Sequence, residues 1–424
     1  MGQCGMFPND HLAYWRREPQ SGTARAALRH RDFRLLWSGV LISNIGTWMQ
    51  NVLLGAFGWT LTHSTFFVGV LFFAQLGPVL VLAPLGGLLA DDFSRRRVVI
   101  LTQAPQFVAA IVLAVIAFGG VTSPTMVALL VLIIGIFNAL SMPAVLASLP
   151  GAVPAADLDG AVSLTTMQMN LSRVVGPAIG AALYALTNAS AVFTLNALTY
   201  VVLMVAFAVA RLAPRPPKSA DPFLHRLSGG FRLVKTDPVI RRVLGMMVTF
   251  SLLCLPFIGL MPAIAAKQFQ LDPKSLAYGL LIATLGIGAV IGSLSVGSIF
   301  AQMSRQRLMV LGFAGFSLAV FALAFVSTLP LAYPLVAFLG VTYFATVTAL
   351  SNVLQRSVTE SLRGRVTALW MMSFGGTVPI GVLLFGAIAQ SSGLMPVLLV
   401  SAGCALVLAA VALYFLRTTL AADV

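Results

Sequence analysis

Gly87-Leu-Leu-Ala-Asp-Asp-Phe-Ser-Arg-Arg-Arg97 joins two long apolar stretches, and a degenerate copy, Gly297-Ser-Ile-Phe-Ala-Gln-Met-Ser-Arg-Gln-Arg307, occupies the corresponding place in the second half of the chain. A glycine at a helix end followed by a tight basic loop, once in each half, is the pattern of a duplicated membrane protein built from two similar bundles. The copies are unequal. Asp91 is answered by Ala301 and Arg96 by Gln306, so only the first keeps an acid beside its cations.

Working outward, the chain is 59% hydrophobic and only 9% charged over 424 residues, far below the roughly 25% charged residues of a soluble domain. The apolar runs are continuous and about 20 residues or longer, which predicts membrane-crossing helices and excludes the alternating ten-residue strands of a barrel. Twelve spans are predicted: 35–61, 66–90, 97–118, 124–149, 160–186 and 190–212, then 240–266, 276–300, 306–327, 330–355, 366–391 and 394–417. The expected fold is an all-α membrane protein with twelve transmembrane helices in two pseudo-symmetric six-helix bundles. Its expected parts are an N-terminal arm (1–33), the first bundle (34–212), a central loop (213–239), the second bundle (240–417) and a tail (418–424).

A net charge of +14 invites a nucleic-acid reading, but the placement of the cations argues for a membrane instead. All the basic residues except Arg173, Lys267 and Lys274 fall in the arm, in alternate loops, or at the C-terminus. The positive-inside rule then puts both termini and the central loop in the cytoplasm. The opposite connections at 62–65, 119–124 and 188–189 carry no charge, so function is expected between the helices. Residues 1–30 lack the apolar centre of a signal peptide and are read as cytosolic chain without fixed structure. Met1-Gly2-Gln3-Cys4-Gly5-Met6 lacks the Ser or Thr of a myristoylation start. Cys4, Cys254 and Cys404 suggest no disulfide framework.

Prolines 214, 216, 217 and 222 open the central break, and Asp237-Pro238 closes it. Within it Leu224, Leu227, Phe231 and Val234 recur at helical spacing opposite Arg226, Arg232 and Lys235. That pattern suits either a helix lying on the anionic inner leaflet or a solvated linker helix. A weaker repeat sets Asp157-Leu-Asp-Gly160 before the fifth span and Ser361-Leu-Arg-Gly364 before the eleventh.

The residue inventory excludes several chemistries. No glycine precedes Lys218, Lys235, Lys267 or Lys274, so there is no phosphate-binding loop of the Gly-Lys-Ser/Thr kind. His-Glu-x-x-His, Cys-x-x-Cys and Gly-x-Ser-x-Gly are all absent, and the four histidines lie outside the spans. No enzymatic activity, cofactor or metal is expected. Asn188-Ala-Ser190 matches a glycosylation acceptor by chance.

Polar residues within spans are the remaining resource, since each costs free energy in hydrocarbon unless it meets a partner or water. Asn44, Thr47, Trp48 and Asn51 share one face of the first span, with Gln50 beside it. Asn138 and Ser141 pair in the fourth span, and Thr348, Asn352 and Gln355 repeat the pattern in the tenth. These stripes have two readings, a cavity lining or hydrogen-bonded glue between helices. Isolated Gln75 and Gln168 are assigned to packing. Arg173, near the middle of the fifth span, costs at least about 2.5–3.5 kcal/mol there, and every Asp and Glu lies in loops, termini or span ends. With Asn170 and Thr166 on its face, Arg173 either engages an anionic part of a substrate or bonds to helix carbonyls and amides. The absence of an Asp, Glu or His within the spans leaves a proton counter-ion to compete at the substrate or to titrate Asp91 or Asp32.

Together these features resemble the major facilitator superfamily over residues 30–417. Its loop signature, Gly-x-Leu-Ala-Asp-Arg-x-Gly-Arg-Lys/Arg, is similar to Gly87, Leu89, Ala90, Asp91, Arg95 and Arg96, with Asp92 and Ser94 departing from it. The resemblance implies that Gly87, Asp91, Arg95 and Arg96 form a conformational latch against the neighbouring bundle. Gly176-Pro177-x-x-Gly180 resembles the motif of antiporters and exporters, with Ala181 in place of its last glycine. Gly46-Thr-Trp-Met-Gln50, Asn170-Leu-Ser-Arg-Val-Val-Gly-Pro177 and Leu362-Arg-Gly-Arg-Val366 resemble the enterobactin-exporter-like branch of siderophore and drug exporters. What this implies is a bacterial inner-membrane secondary transporter, exporting a small amphipathic or anionic molecule by rocking of two bundles. Spans 1, 4, 7 and 10 would line its cavity. The candidate substrate set is Asn44, Trp48, Gln50, Asn51, Asn138, Asn170, Arg173 and Asn352. A facilitator or importer of a polar solute, and a non-transport membrane sensor or scaffold, are the alternatives.

Overall fold

The computed structural model describes residues 21–120, 123–212, 234–358, 366 and 369–422, and the regular structure among them is entirely helical. The first bundle comprises α1 Arg31–Thr62, α2 Thr65–Asp92, α3 Arg95–Gly119, α4 Pro124–Ala152, α5 Leu158–Leu186 and α6 Ala189–Val209. The second comprises α7 Pro238–Gln268, α8 Leu276–Gly297, α9 Arg305–Phe325, α10 Leu329–Arg356, α11 Leu369–Ser392 and α12 Leu394–Ala422. Eleven of these are both long and apolar enough to cross a membrane. The remaining one, α5, has the length, 29 residues or about 43 Å, but Asn170, Ser172 and Arg173 dilute its apolar character.

Short side-chain caps start many of the helices. Ser64, Ser94, Asn188, Ser275 and Ser304 each accept a hydrogen bond from the backbone N–H three residues on, and Asp237 from two amides of α7. Each satisfies a donor that the first turn leaves without an intrahelical partner. Asn188 therefore has a structural use in the stretch that matches a glycosylation acceptor. His63, in the left-handed region at φ 50°, ends α1 and turns the chain directly into α2.

Within the first bundle α1 packs on α5 and α6, and α3 and α2 both pack on α4. Within the second, α10 packs on α8 and α9, and α12 on α9. The outward faces remain apolar, as at Val81, Leu101, Phe118, Leu294 and Leu318, a surface solvated by hydrocarbon rather than water. A separate apolar cluster at the arm-bearing end gathers Phe33, Leu36, Val99, Leu164 and Phe207. Two wide π turns interrupt the second bundle, at Phe250–Cys254 in α7 and Met372–Gly376 in α11. Such turns are frequent at functional sites.

Residues 21–30 depart from the expectation of unstructured chain. Ala24–Ala27 form one helical turn with Ala26 and Ala27 buried. Asp157, just before α5, accepts from the Gly22 amide at 3.0 Å and pairs with His30 Nε2 at 2.8 Å. Those two contacts, the His30 bond first, hold its carboxyl below the ordinary value of 3.8. At Gly160 a Cβ would come within 2.5 Å of the Thr23 backbone, so the Asp157–Gly160 stretch is built as a seat for the arm. Residues 213–233 of the central loop and the Ser361–Gly364 counterpart lie outside the described residues.

Candidate functional site

The two bundles meet along α2 and α11, along α5 and α8, and where α7 touches α1 and α2. The seam is tight at the end opposite the arm. Thr65 donates from its hydroxyl to the Gly386 carbonyl at 2.7 Å, and its backbone N–H reaches Gln390 Oε1 at 2.9 Å. Lys267 on α7 lies 5.5 Å over the Trp59 ring of α1. A Cβ at Gly279 would stand 2.8 Å from the Ala181 Cβ, and one at Gly55 3.1 Å from Pro262. Toward the arm the same α5 face opens. Val174 approaches Gly286, yet Met167, one seven-residue step further along that face, is 56% exposed.

Arg173 sits where the seam changes from closed to open. Its guanidinium carbon is 5.7 Å from the Trp48 ring of α1 and 5.9 Å from the Phe344 ring of α10. The cation is thus flanked by one ring from each bundle. Behind Phe344, Tyr343 is 4.4 Å away, ring centre to ring centre, and Tyr343 in turn neighbours Phe374 of α11 at 6.4 Å. Cation–π contact supplies roughly 0.5–2 kcal/mol per ring, which offsets part of the cost of an arginine at mid-span. No carboxylate pairs with Arg173 and no hydrogen bond reaches it among the described residues. Its fork of N–H donors is therefore left for an anion or water.

The candidate amides divide into two classes. Gln50 is fully buried, accepting from Asn196 Nδ2 at 2.6 Å and lying 3.5 Å from Gln75 Oε1, so it belongs to a polar network inside the first bundle and leaves the cavity set. Asn44, Asn138, Asn170 and Asn352 are half-buried and make no hydrogen bond with any described residue. An amide in a span without a protein partner must be met by water or ligand. Asn44 shares a face with Trp48, Asn170 with Arg173, and Thr348 and Asn352 continue the face of Phe344, so three helix stripes converge on one cation. Among the described residues Asn138 makes no hydrogen bond to this group, and its neighbour Ser141 accepts from Gln103 of α3 at 3.1 Å. Asn51 is buried between Trp48 and the Gly55–Pro262 contact, and its Oδ1 has no hydrogen-bond partner among the described residues.

The sequence reading missed the aromatic wall from the second bundle. Extending the Thr348–Asn352 stripe back by one step of four would have reached Phe344. A Cβ at Gly87 would meet open space, whereas one at Gly86 would lie 2.7 Å from the Leu140 carbonyl. Arg95 donates to the Ala147 carbonyl at 2.8 Å and Arg96 to that of Ala210 at 2.6 Å, so both cations seal C-terminal helix ends of their own bundle. Ser94, which departs from the signature, caps α3 as Ser304 caps α9.

Two six-helix bundles closed at one end, with a half-buried charged and aromatic site between them, define a secondary transporter. The sequence profile of the transmembrane secretion effector family matches residues 22–423. The chain belongs to that family, within the major facilitator superfamily. It is 27% identical over 353 residues to the multidrug efflux pump Tap of Mycolicibacterium fortuitum, covering 80% of this chain and 85% of that protein. It is 28% identical over 364 residues to the enterobactin exporter EntS of Escherichia coli O1:K1, covering 85% of each. Among solved structures, a bacterial homologue of the human lysosomal transporter Spinster in an inward-facing, unoccupied conformation superposes with a TM-score of 0.73 at 15% identity, covering 92% of this chain and 97% of that one. The nucleoside transporter NupG gives 0.69 at 15% identity, covering 91% and 99%. These structural likenesses support the fold alone.

Proposed function

We propose that the chain exports an anionic small molecule bearing aromatic or apolar groups from the cytoplasm by alternating access. The observation that carries this reading is Arg173, unpaired by any described acid and flanked by Trp48 of one bundle and Phe344 of the other. The substrate's anion occupies the guanidinium, its rings stack among Trp48, Phe344 and Tyr343, and Asn44, Asn170 and Asn352 bond its polar edge. Under the positive-inside rule the arm-bearing, open end faces the cytoplasm, with both termini there. The activities of the two relatives, multidrug efflux and enterobactin export, suit such a site. The working assignment is a multi-pass inner-membrane transporter and not an enzyme, with protons as counter-ion. In the opposite state of the cycle, Gly87, Asp91, Arg95 and Arg96 form the latch of the α2–α3 loop against the second bundle, with Arg95 and Arg96 released from the Ala147 and Ala210 carbonyls that they bond here.

The test is reconstitution into liposomes with an imposed pH gradient, following flux of a catecholate siderophore and of a cationic dye while lumenal pH is recorded. Arg173→Ala is expected to reduce siderophore flux roughly tenfold or more, the scale of a lost charge-assisted hydrogen bond. Arg173→Lys keeps the charge and should retain part of it. Unchanged flux of every substrate in Arg173→Ala would remove the anion site. Flux without a matching proton signal would reject antiport.

A further inference from the structure

At the arm-bearing end of the second bundle a cavity of about 450 Å³ opens between the α8–α9 loop and the last turn of α10. Its polar lining is Ser304, Arg305, Gln306, Arg356 and Ser357, with Met303 as an apolar wall and no carboxylate among the described lining residues. We propose that this cavity binds a phosphate-bearing anion, the headgroup of an anionic phospholipid.

Arg305 spends one nitrogen on the Val296 carbonyl at 3.0 Å, which fixes the guanidinium at the cavity wall and leaves its other donors unused. Arg356 makes no hydrogen bond or ion pair with any described residue. Arg305 and Gln306 open α9 behind the Ser304 cap, where first-turn amides lack intrahelical acceptors. The carbonyls that end α10 oppose an anion, and Ser357 occupies two of them. Its amide reaches the Val353 and Leu354 carbonyls at 3.2 and 3.3 Å, and its hydroxyl donates to Val353 at 2.9 Å.

The duplicated loop sharpens the point. In the first bundle Arg95 and Arg96 are both consumed by helix-end carbonyls. In the second, Gln306 replaces Arg96 and Arg356 makes no hydrogen bond or ion pair among the described residues, so positive charge is left over around the cavity. Basic pockets at the cytoplasmic ends of membrane helices suit lipid headgroups. Ile299 and Leu294 on one side and Leu311 on the other are exposed apolar residues at the same end, where acyl chains would lie.

The experiment uses the purified, delipidated full chain in detergent. Retained phosphatidylglycerol and phosphatidylcholine are counted by mass spectrometry of the intact complex over a lipid titration, with and without inorganic phosphate. The wild type is expected to hold phosphatidylglycerol roughly tenfold more tightly than phosphatidylcholine, and Arg356→Gln to lose about that factor. Removing Arg305 also breaks the Val296 contact, so Gln306→Glu serves as the second variant, adding an opposing charge while leaving that contact in place. It should weaken binding in the same direction. Lys274→Gln, at the other end of the molecule, should leave binding unchanged. Competition by inorganic phosphate with no dependence on acyl chains would assign the site to free phosphate compounds and keep its chemistry. Equal retention of the two lipids by the wild type, or unchanged phosphatidylglycerol binding in both Arg356→Gln and Gln306→Glu, would overturn the proposal.

Discussion

Single side chains at the arm-bearing end show how one acid can organise a segment. Asp157 holds both the Gly22 amide and His30, and its carboxyl lies below the ordinary carboxylate value because those partners favour its charged form. A depressed pKa contributes stability above the unfolded value and loses it as pH falls through the folded one. Docking of the arm should therefore persist at neutral pH and fail only in acid. Asp157→Asn is expected to raise hydrogen exchange of residues 22–27 at neutral pH to the level that the wild type reaches only on acidification. No difference between the two proteins at neutral pH would remove Asp157 from this role. Nothing in the Asp157–Gly160 stretch announced a docking seat, because the partner residues lie 127 and 135 positions away in sequence.

Helices were the most legible level. Continuous apolar runs predicted the spans, since a membrane imposes length and polarity on each element separately. The π turns of α7 and α11 were not legible, because neither Phe250–Cys254 nor Met372–Gly376 carries a sequence mark beyond nearby glycine or proline. Packing between elements was partly legible. Small residues hinted at close approach, but Gly86 and Gly87 are distinguished only by which one meets α4. The α5–α8 seam gives a test at this scale. Gly279→Leu would force a side chain into Ala181 and prop the closed end apart, so labelling of a cysteine placed beyond it should accelerate while flux falls. Unchanged labelling would mean that the seam tolerates the bulk. At the α2–α3 loop, Asp91→Asn is expected to slow flux more than any substitution at Ala301, its counterpart without an acid. Equal rates for Asp91→Asn and wild type would exclude the latch.

Across the whole molecule, the candidate site was readable in half. Arg173, Trp48, Asn44, Asn170 and Asn352 stood out as polar or aromatic residues in apolar runs. Gln50 looked the same by sequence but turned inward to Asn196. Side-chain direction depends on which neighbour each helix face meets, and one chain's sequence does not state that. The ring from α10 lay one step of four from the Thr348–Asn352 stripe, but its role was not legible, since an aromatic residue in a membrane helix is ordinary until a cation from the other bundle lies over it.

Asn51 carries a consequence for how the two bundles divide their time. Sealing its Oδ1 without a partner costs about 1–3 kcal/mol, a penalty borne only while the end near Gly55 and Pro262 stays shut. Opening that end would wet the amide and refund the cost. The asparagine thus acts as a preload against its own closed seam, countering the Thr65–Gln390 and Lys267–Trp59 contacts. Asn51→Leu should move the resting distribution toward the shut form by a factor of roughly five to 150, seen as a narrowed spread of spin-label distances across that end. An unaltered distribution would mean that water already reaches the amide. A carrier that must visit both shapes in every cycle is served by a flaw of this kind, because a perfectly satisfied seam would be a lock.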